Sequence, residues 1–329
     1  MQNKSVRLED VAQKAGVSIT TVSHVINKTR YVKQETRELV LKILEEMNYD
    51  TSKPKVRQKA SKLIGVVVAD ITEDYYISVV KAIETYATEQ GFSILLCDSE
   101  DDVEKERRNV KAMLDRDVSG LIISPINCDK YPKDLKDTAI PVVFIDRKYS
   151  KHDNVFVGIN NLESGYFGAK YLASKGCEAI GFIGYPATVY TTHQREIGYR
   201  ECLHECVPDF EPKVLSLNYH QEDSNKLIRE FVESFHLDGV ICGTSDICYQ
   251  MIGSLEEMGI KIPDKMKIVT YDDNKWLDYL KFPISVITQP TTEIGFTAID
   301  SLVRMVRNPE ERKKVATDIF LETGFIDRL

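Results

Sequence analysis

The sequence lacks any apolar run near the roughly 20 residues that a membrane-crossing helix requires. Its opening residues, MQNKSVRLEDVAQ, hold no apolar stretch of the kind a secretory leader needs. No membrane partner is therefore expected. There is no GxxxxGK[ST] loop to cradle a nucleotide phosphate and no GxSxG elbow to present a nucleophile, which argues against a kinase or a hydrolase. The seven cysteines are odd in number and none has CxxC spacing, so neither a zinc site nor a disulfide framework is implied. They read as free thiols in a reducing cytoplasm. No metal, cofactor or catalytic residue is expected, and the chain is not expected to be an enzyme.

What is present is an ordinary globular composition, 43% hydrophobic and 29% charged, over 329 residues. That length suits two or three globular units. The net charge of −8 hides an asymmetry: residues 1–62 hold thirteen Lys and Arg against seven Asp and Glu. A basic head on an acidic body implies that only the head meets a polyanion, because neutralising phosphates needs local cations.

Three helical patterns occupy the head. Leu8, Val11, Ala12 and Ala15 recur at helical spacing, and Gly16 follows as a stop. Ser18 starts a second short helix with Val22, Val25 and Ile26 inside. A third runs from about Gln34 to Met47, with Leu39, Val40, Ile43, Leu44 and Met47 expected in the core. Residues 50–62, DTSKPKVRQKASK, have no apolar period and read as a linker. The expected division is 1–49 for the head, 50–62 for the linker or hinge, and 63–329 for the body.

From Leu63 the pattern alternates strand and helix. LIGVVVAD, FSILLCDS, SGLIISP and PVVFIDR are short, nearly continuous apolar runs, as buried parallel strands are. VFVGI reads as an added edge strand, and the rhythm repeats through AIGFIGY, VLSLNY, DGVICGT, KIVTYDD, ISVITQP and DIFLETG. About ten strands exceed one comfortable sheet, so two doubly wound α/β lobes are expected. The first lobe would span about 63–159 and 290–317, the second about 160–289 and 318–329. Asp70, Asp98, Ser124, Asp146, Tyr185, Thr244 and Asp272 stand at carboxyl ends of these strands. Open parallel sheets bind ligands at that edge, although strand ends are loops and loops are polar in any case.

The segment LEDVAQKAGVSITTVSHVIN (8–27) reads as helix, Gly-containing turn and helix, the arrangement that enters the DNA major groove. This string resembles the lactose-repressor (LacI/GalR) family, whose pattern DVA..AGVS..TVS.V.N it matches almost throughout. The likeness continues through YVKQETRELVLKILEEMNY, IGVVVAD, VVFIDR, the Gln-Arg-x-x-Gly-Tyr run (194–199), YDD and VITQP. The resemblance implies an all-α helix-turn-helix head on a periplasmic-binding-protein-like body, acting as a transcriptional regulator. It places Ile19, Thr20 and His24 at the base-reading positions, and Ser18, Thr21, Ser23 and Asn27 at the phosphate contacts. Where relatives have Arg, His24 offers one weaker contact to guanine. Arg7 and Lys33 stand at N-cap positions usually held by Thr or Ser, each change costing about 1 kcal/mol. The linker departs furthest: Pro54 interrupts the hinge helix that relatives insert in the minor groove, and no Leu precedes Leu63.

For the body the resemblance implies an effector between the lobes. Arg195 matches the ligand-gripping Arg, Asp272 its acidic partner, and Asp146 a contact to ligand hydroxyls. Tyr75 and Tyr76 replace the usual Phe pair of the first lobe, so that one of them can stack on a ligand ring while its hydroxyl adds a contact. Ser124 stands at a strand end facing the cleft, and Ser245 and His220 stand where relatives have Asn and an aromatic wall. Alternatives remain: Arg195 and Asp272 as a structural ion pair, the tyrosines as core. A guanidinium facing a carboxylate suits a sugar, sugar acid or sugar phosphate. A purine, or no effector at all, is the alternative; a sugar-binding or sugar-modifying protein is the rival from another class. The expected partners are a pseudo-palindromic double-stranded DNA operator, the effector and a second copy of the chain, since GFIDRL ends without a heptad tail.

Overall fold

Helix α1 (Leu8–Ala15) puts Val11, Ala12 and Ala15 on one face, and all three are buried. Gly16 then takes φ +65°, a left-handed turn that glycine adopts without a Cβ clash, and Val17 N bonds back to the Ala12 carbonyl at 3.1 Å. Helix α2 (Ile19–Asn27) is capped by Ser18, whose Oγ accepts from Thr21 N at 3.1 Å. Helix α3 (Gln34–Glu46) closes the core with Val40, Ile43 and Leu44, and its N-cap Lys33 gives no side-chain bond. Leu39 departs from expectation: it is 46% exposed. Three short helices enclose room for one stripe on α3, and Leu39 lies about 100° away from Val40 around the axis. The computed structural model describes residues 8–27, 32–47, 49, 62–207, 211–218, 223–310 and 318–329. The expectations for Arg7, for Pro54 and the linker to residue 61, and for His220 fall outside these.

The chain divides into two compact units, Met1–Ala60 and Ser61–Leu329. In the second, β1 (Leu63–Val68), α4 (Asp74–Glu89), β2 (Ser93–Asp98), α5 (Val103–Leu114), β3 (Gly120–Ile123), α6 (Lys133–Lys136), β4 (Val142–Ile145) and β5 (Val155–Ile159) build a first lobe. The second lobe follows with α7 (Asn161–Ser174), β6 (Ile180–Gly184), α8 (Tyr190–Cys206), β7 (Lys213–Ser216), α9 (Ser224–Phe235), β8 (Gly239–Cys242), α10 (Ser245–Glu257), β9 (Lys267–Tyr271), a 3₁₀ turn (Lys275–Tyr279) and β10 (Ser285–Thr288). Helix α11 (Thr291–Arg307) returns to the first lobe, and β11 (Asp318–Leu321) and β12 (Gly324–Ile326) finish the two sheets. The orders are β2-β1-β3-β4-β5-β11 and β7-β6-β8-β9-β10-β12, parallel except for antiparallel β12.

The unbroken apolar runs follow from burial on both faces. Along β1, Ile64, Val66 and Val68 face the core under α4 and α11, while Val67 faces the core under α5. In β6, Ile183 meets the core of α9 and α10, and Ile180 and Phe182 that of α7 and α8.

Two expectations need correction. VFVGI is not an edge: β5 pairs with β4 on one side and β11 on the other. The lobe change near the C-terminus falls after Leu321, not at 318, because DIFL adds to the first sheet before GFI joins the second. Both errors have one cause, a strand supplied from over 150 residues away in sequence.

Candidate DNA-recognition head and effector cleft

On α2, Ile19 is 47% exposed, an apolar side chain left in water at the start of the helix. Ser18 Oγ and Thr21 Oγ1 lie 2.8 Å apart, so both hydroxyls sit at the helix N-terminus, where backbone N–H groups favour an anion. His24 is half-buried one turn after Thr20. Thr20, Ser23 and Asn27 hold helical backbone positions, and their side chains lie outside the described residues.

In the body, the two lobes present matching strand ends. Asp146 follows β4 and Asp272 follows β9, the fourth strand of each lobe in chain order. Both adopt positive φ, +61° and +64°, a conformation that Asp tolerates and most residues resist. Each is fixed by a backbone bond to the next strand: Asp146 N to the Val157 carbonyl at 3.1 Å, Asp272 N to the Ile287 carbonyl at 3.0 Å. Of the two, Asp272 borders a cavity between the lobes.

Tyr76 is completely buried, and its hydroxyl donates to Asp146 Oδ2 at 2.7 Å and lies 2.8 Å from Ser124 Oγ. Its ring is therefore core, and its hydroxyl anchors the strand-end carboxylate. Tyr75 packs edge-on against it at 5.1 Å and is 6% exposed, with a buried hydroxyl that no protein group satisfies in good geometry. Asp146, Asp272 and Arg195 all act on that hydroxyl electrostatically, which places it between the two lobes.

Arg195, 3% exposed, does not pair with Asp272. Its Nε donates to Asn161 Oδ1 at 2.8 Å and its Nη1 to the Gly243 carbonyl at 2.7 Å, and its guanidinium lies 3.6 Å from the Tyr271 ring centre. Asp272 instead accepts from Gln289 Nε2 at 2.9 Å. Asn161 and Gln289 sit where the chain passes between lobes, at the start of α7 and after β10. Each expected ligand-gripping group is thus tied to a crossover. Sequence reading missed both amides, since an Asn or Gln in a loop gives no signal of its own.

What places Arg195 is the contact of α7 with α8. A Cβ on Gly198 would stand 1.9 Å from the Leu162 carbonyl oxygen, and one on Gly165 2.0 Å from that of Arg195. The helices meet backbone to backbone, which only glycine permits.

Two cavities open between the lobes, within the size range of small-molecule sites. One, of about 410 Å³, includes Glu73, Ser245, Asp246 and Trp276 in its wall; the other, of about 470 Å³, includes Tyr75, Asp272 and Gln289. Asp74 and Asn274 belong to both. Ser245 therefore lines the cleft, whereas Ser124 lies behind Tyr76.

Burial raises three of these acids above the usual carboxylate range. Glu73 is raised to about 8, mainly by desolvation, against the opposing pull of Arg147. Asp272 is raised to about 6 by desolvation, opposed by Arg195 and the Gln289 bond. Asp146 is also raised by desolvation, with Arg147 and the Tyr76 hydroxyl acting the other way. Arg147 is itself engaged with buried Asp101 at 2.8 Å. Among the described residues no group of His, Cys, Asp and Glu is arranged to hold a metal ion, and no helix is long and apolar enough to cross a membrane.

Comparison with known proteins agrees with this division. Residues 7–52 match the profile of bacterial regulatory proteins of the lacI family, and residues 64–310 match a periplasmic binding protein domain. A curated relative, the HTH-type transcriptional repressor PurR of Pasteurella multocida, is 29% identical over 318 residues, covering 94% of each chain. Among solved structures, a lac repressor dimer bound to operator and the anti-inducer ONPF superposes with TM-score 0.70 at 23% identity, covering 99% of this chain and 98% of that one. A CelR–cellobiose complex does so with TM-score 0.72 at 23% identity, covering 98% and 99%. The chain thus belongs, over most of its length, to the periplasmic binding protein domain family, and it carries a head of the lacI family of bacterial regulatory proteins.

Proposed function

We propose that the protein is a sequence-specific DNA-binding repressor whose grip on a pseudo-palindromic operator is set by a small molecule held between the lobes. The observation that carries this is the tie between ligand-facing and crossover residues: Arg195 to Asn161, and Asp272 to Gln289. A ligand that recruits Arg195 and Asp272 competes for these bonds where the lobes join, so occupancy and lobe angle are coupled. In a homodimer, a change of lobe angle alters the spacing of two heads. A ligand that prefers one arrangement by ~100-fold supplies about 2.7 kcal/mol of coupling.

In the head, Ile19, Thr20 and His24 read bases, while Ser18, Thr21, Ser23 and Asn27 hold phosphates. In the cleft, Arg195, Asp272, Asp146, Tyr75 and Ser245 meet the effector, and Tyr76 and Ser124 position Asp146. One solved relative, a complex with cellobiose, supports an effector of metabolite size. The protein is not an enzyme in this reading, and it works in the cytoplasm, where its operator lies.

Selection of bound duplexes from a random pool, using full-length protein with and without candidate ligands, tests this. Enrichment of a twofold-symmetric site is expected. Enrichment of no symmetric site would refute the reading.

A further inference from the structure

Helix α8 carries Arg195 in its first half and a pair of thiols at its far end. Cys202 and Cys206 stand one helical turn apart, and Cys202 Sγ donates to Cys206 Sγ at 3.6 Å. Cys202 is buried, while Cys206 is exposed and is the last residue of the helix. Both thiols act electrostatically on the Tyr166 hydroxyl of α7, which places that ring beside the pair. The hydroxyl donates to Glu205 Oε2 at 2.5 Å, and Lys170 Nζ lies 5.8 Å from the centre of the Tyr166 ring. Cys242 and Cys248 make a second pair, but both are completely buried in the core of the lobe. Of these two pairs, the one on α8 alone meets solvent.

The spacing decides what the pair can hold. A disulfide needs Cβ atoms about 3.5–4.5 Å apart, whereas positions one helical turn apart keep them at about 5–6 Å. An atom that bonds both sulfurs at about 2.3 Å with a tetrahedral angle, as zinc does, separates them by about 3.8 Å. The observed 3.6 Å therefore suits a bridging atom, with α8 left intact. A structural zinc ion takes about four ligands, and among the described residues no third His, Cys, Asp or Glu is arranged with these two to hold a metal ion. Zinc also needs both sulfurs as thiolates, and burial, reinforced by the contact with Cys206, pushes the Cys202 thiol up to about 12.

We infer that Cys202 and Cys206 form a binding site for a trivalent arsenical bearing one organic substituent, whose arsenic needs two sulfurs and no third protein ligand. Exposed Cys206 displaces the first hydroxyl of R–As(OH)2, and Cys202 then displaces the second. Two As–O and two S–H bonds break, two As–S and two O–H bonds form, two waters leave, and arsenic stays trivalent. The protons depart with the displaced oxygens, so no thiolate has to form in advance. Neither cysteine lines either cavity of the cleft, so the site is independent of the effector reading.

The test is mass spectrometry of reduced full-length protein after an equimolar addition of phenylarsine oxide. The expected product carries one C6H5As group in place of two hydrogens. Iodoacetamide in urea, followed by trypsin, should leave Cys202 and Cys206 unlabelled, both on the peptide Glu201–Lys213. Prior treatment with 2,3-dimercaptopropanol should restore their labelling. Competition against the same dithiol should show binding about 100-fold tighter than to Cys202→Ala or Cys206→Ser, because the second thiol acts at high effective concentration. Circular dichroism checks the fold of the free variants, and the labelling of the native protein needs no variant. Equal binding by both variants, protection of Cys242 and Cys248 instead, or no adduct on the native protein would each overturn the inference.

Discussion

Replacing Arg195 separates the two roles that its geometry combines. The side chain is 3% exposed, donates to Asn161 Oδ1 and the Gly243 carbonyl, and covers the Tyr271 ring. Hydrogen bonds from a charged group contribute about 1.5–3 kcal/mol each, and a desolvated cation–π contact about 2 kcal/mol. Truncation to Ala leaves two buried acceptors and a void that water can enter, so the sum is an upper bound. We expect Arg195→Ala to lower the unfolding free energy by about 3–5 kcal/mol. Arg195→Lys keeps the charge and one donor but cannot reach both acceptors in a planar fork. It should cost about half as much and, if the fork grips the effector as proposed, still abolish the ligand response. Urea unfolding followed by fluorescence is well placed to read this: Trp276 is the only tryptophan and lies in the same lobe. A loss below about 1 kcal/mol for Arg195→Ala would refute the claim that the guanidinium is a buried structural tie.

Three further outcomes follow from named contacts. Gly198→Ala gains about 0.5–1 kcal/mol in helix propensity but forces α8 from the Leu162 carbonyl, so a net loss of about 2 kcal/mol and a weakened ligand response are expected in thermal melts. Tyr76→Phe removes the donor to Asp146 and should destabilise by about 1.5–3 kcal/mol, again read by melting; an unchanged melting temperature would show that Asp146 does not depend on it. Glu73 is an acid raised to about 8 in the folded protein from an ordinary value of 4.5, so the folded state binds the extra proton and stability falls as pH rises across that window. Glu73→Gln should therefore flatten the decline in melting temperature between pH 5 and pH 8 and raise it most above pH 8, with little effect near pH 4. A gain largest at low pH would contradict the assignment.

Much of the fold was legible because its strands are buried on both faces. LIGVVVAD and PVVFIDR read as continuous apolar runs for the same reason that their alternate residues enter two different cores. The strand-end acids Asp146 and Asp272 were legible too, since each closes such a run. What could not be read was partnership between distant segments. VFVGI looked like an edge because DIFL, which covers it, lies far along the chain. Leu39 looked buried because periodicity alone does not say how wide a stripe three short helices can cover. The ties of Arg195 to Asn161 and Gly243 were not legible either, because they depend on the glycine contact of α7 and α8, which sequence spacing does not express.

The central claim is that occupancy of the cleft sets the grip of the head on DNA. Fluorescence anisotropy with the selected operator duplex, titrated with protein at fixed salt in the absence and presence of a ligand shown by calorimetry to bind, measures that coupling directly. The account predicts at least a tenfold change in operator affinity for the native protein and none for Arg195→Lys. Identical operator affinity with and without a bound ligand would contradict it.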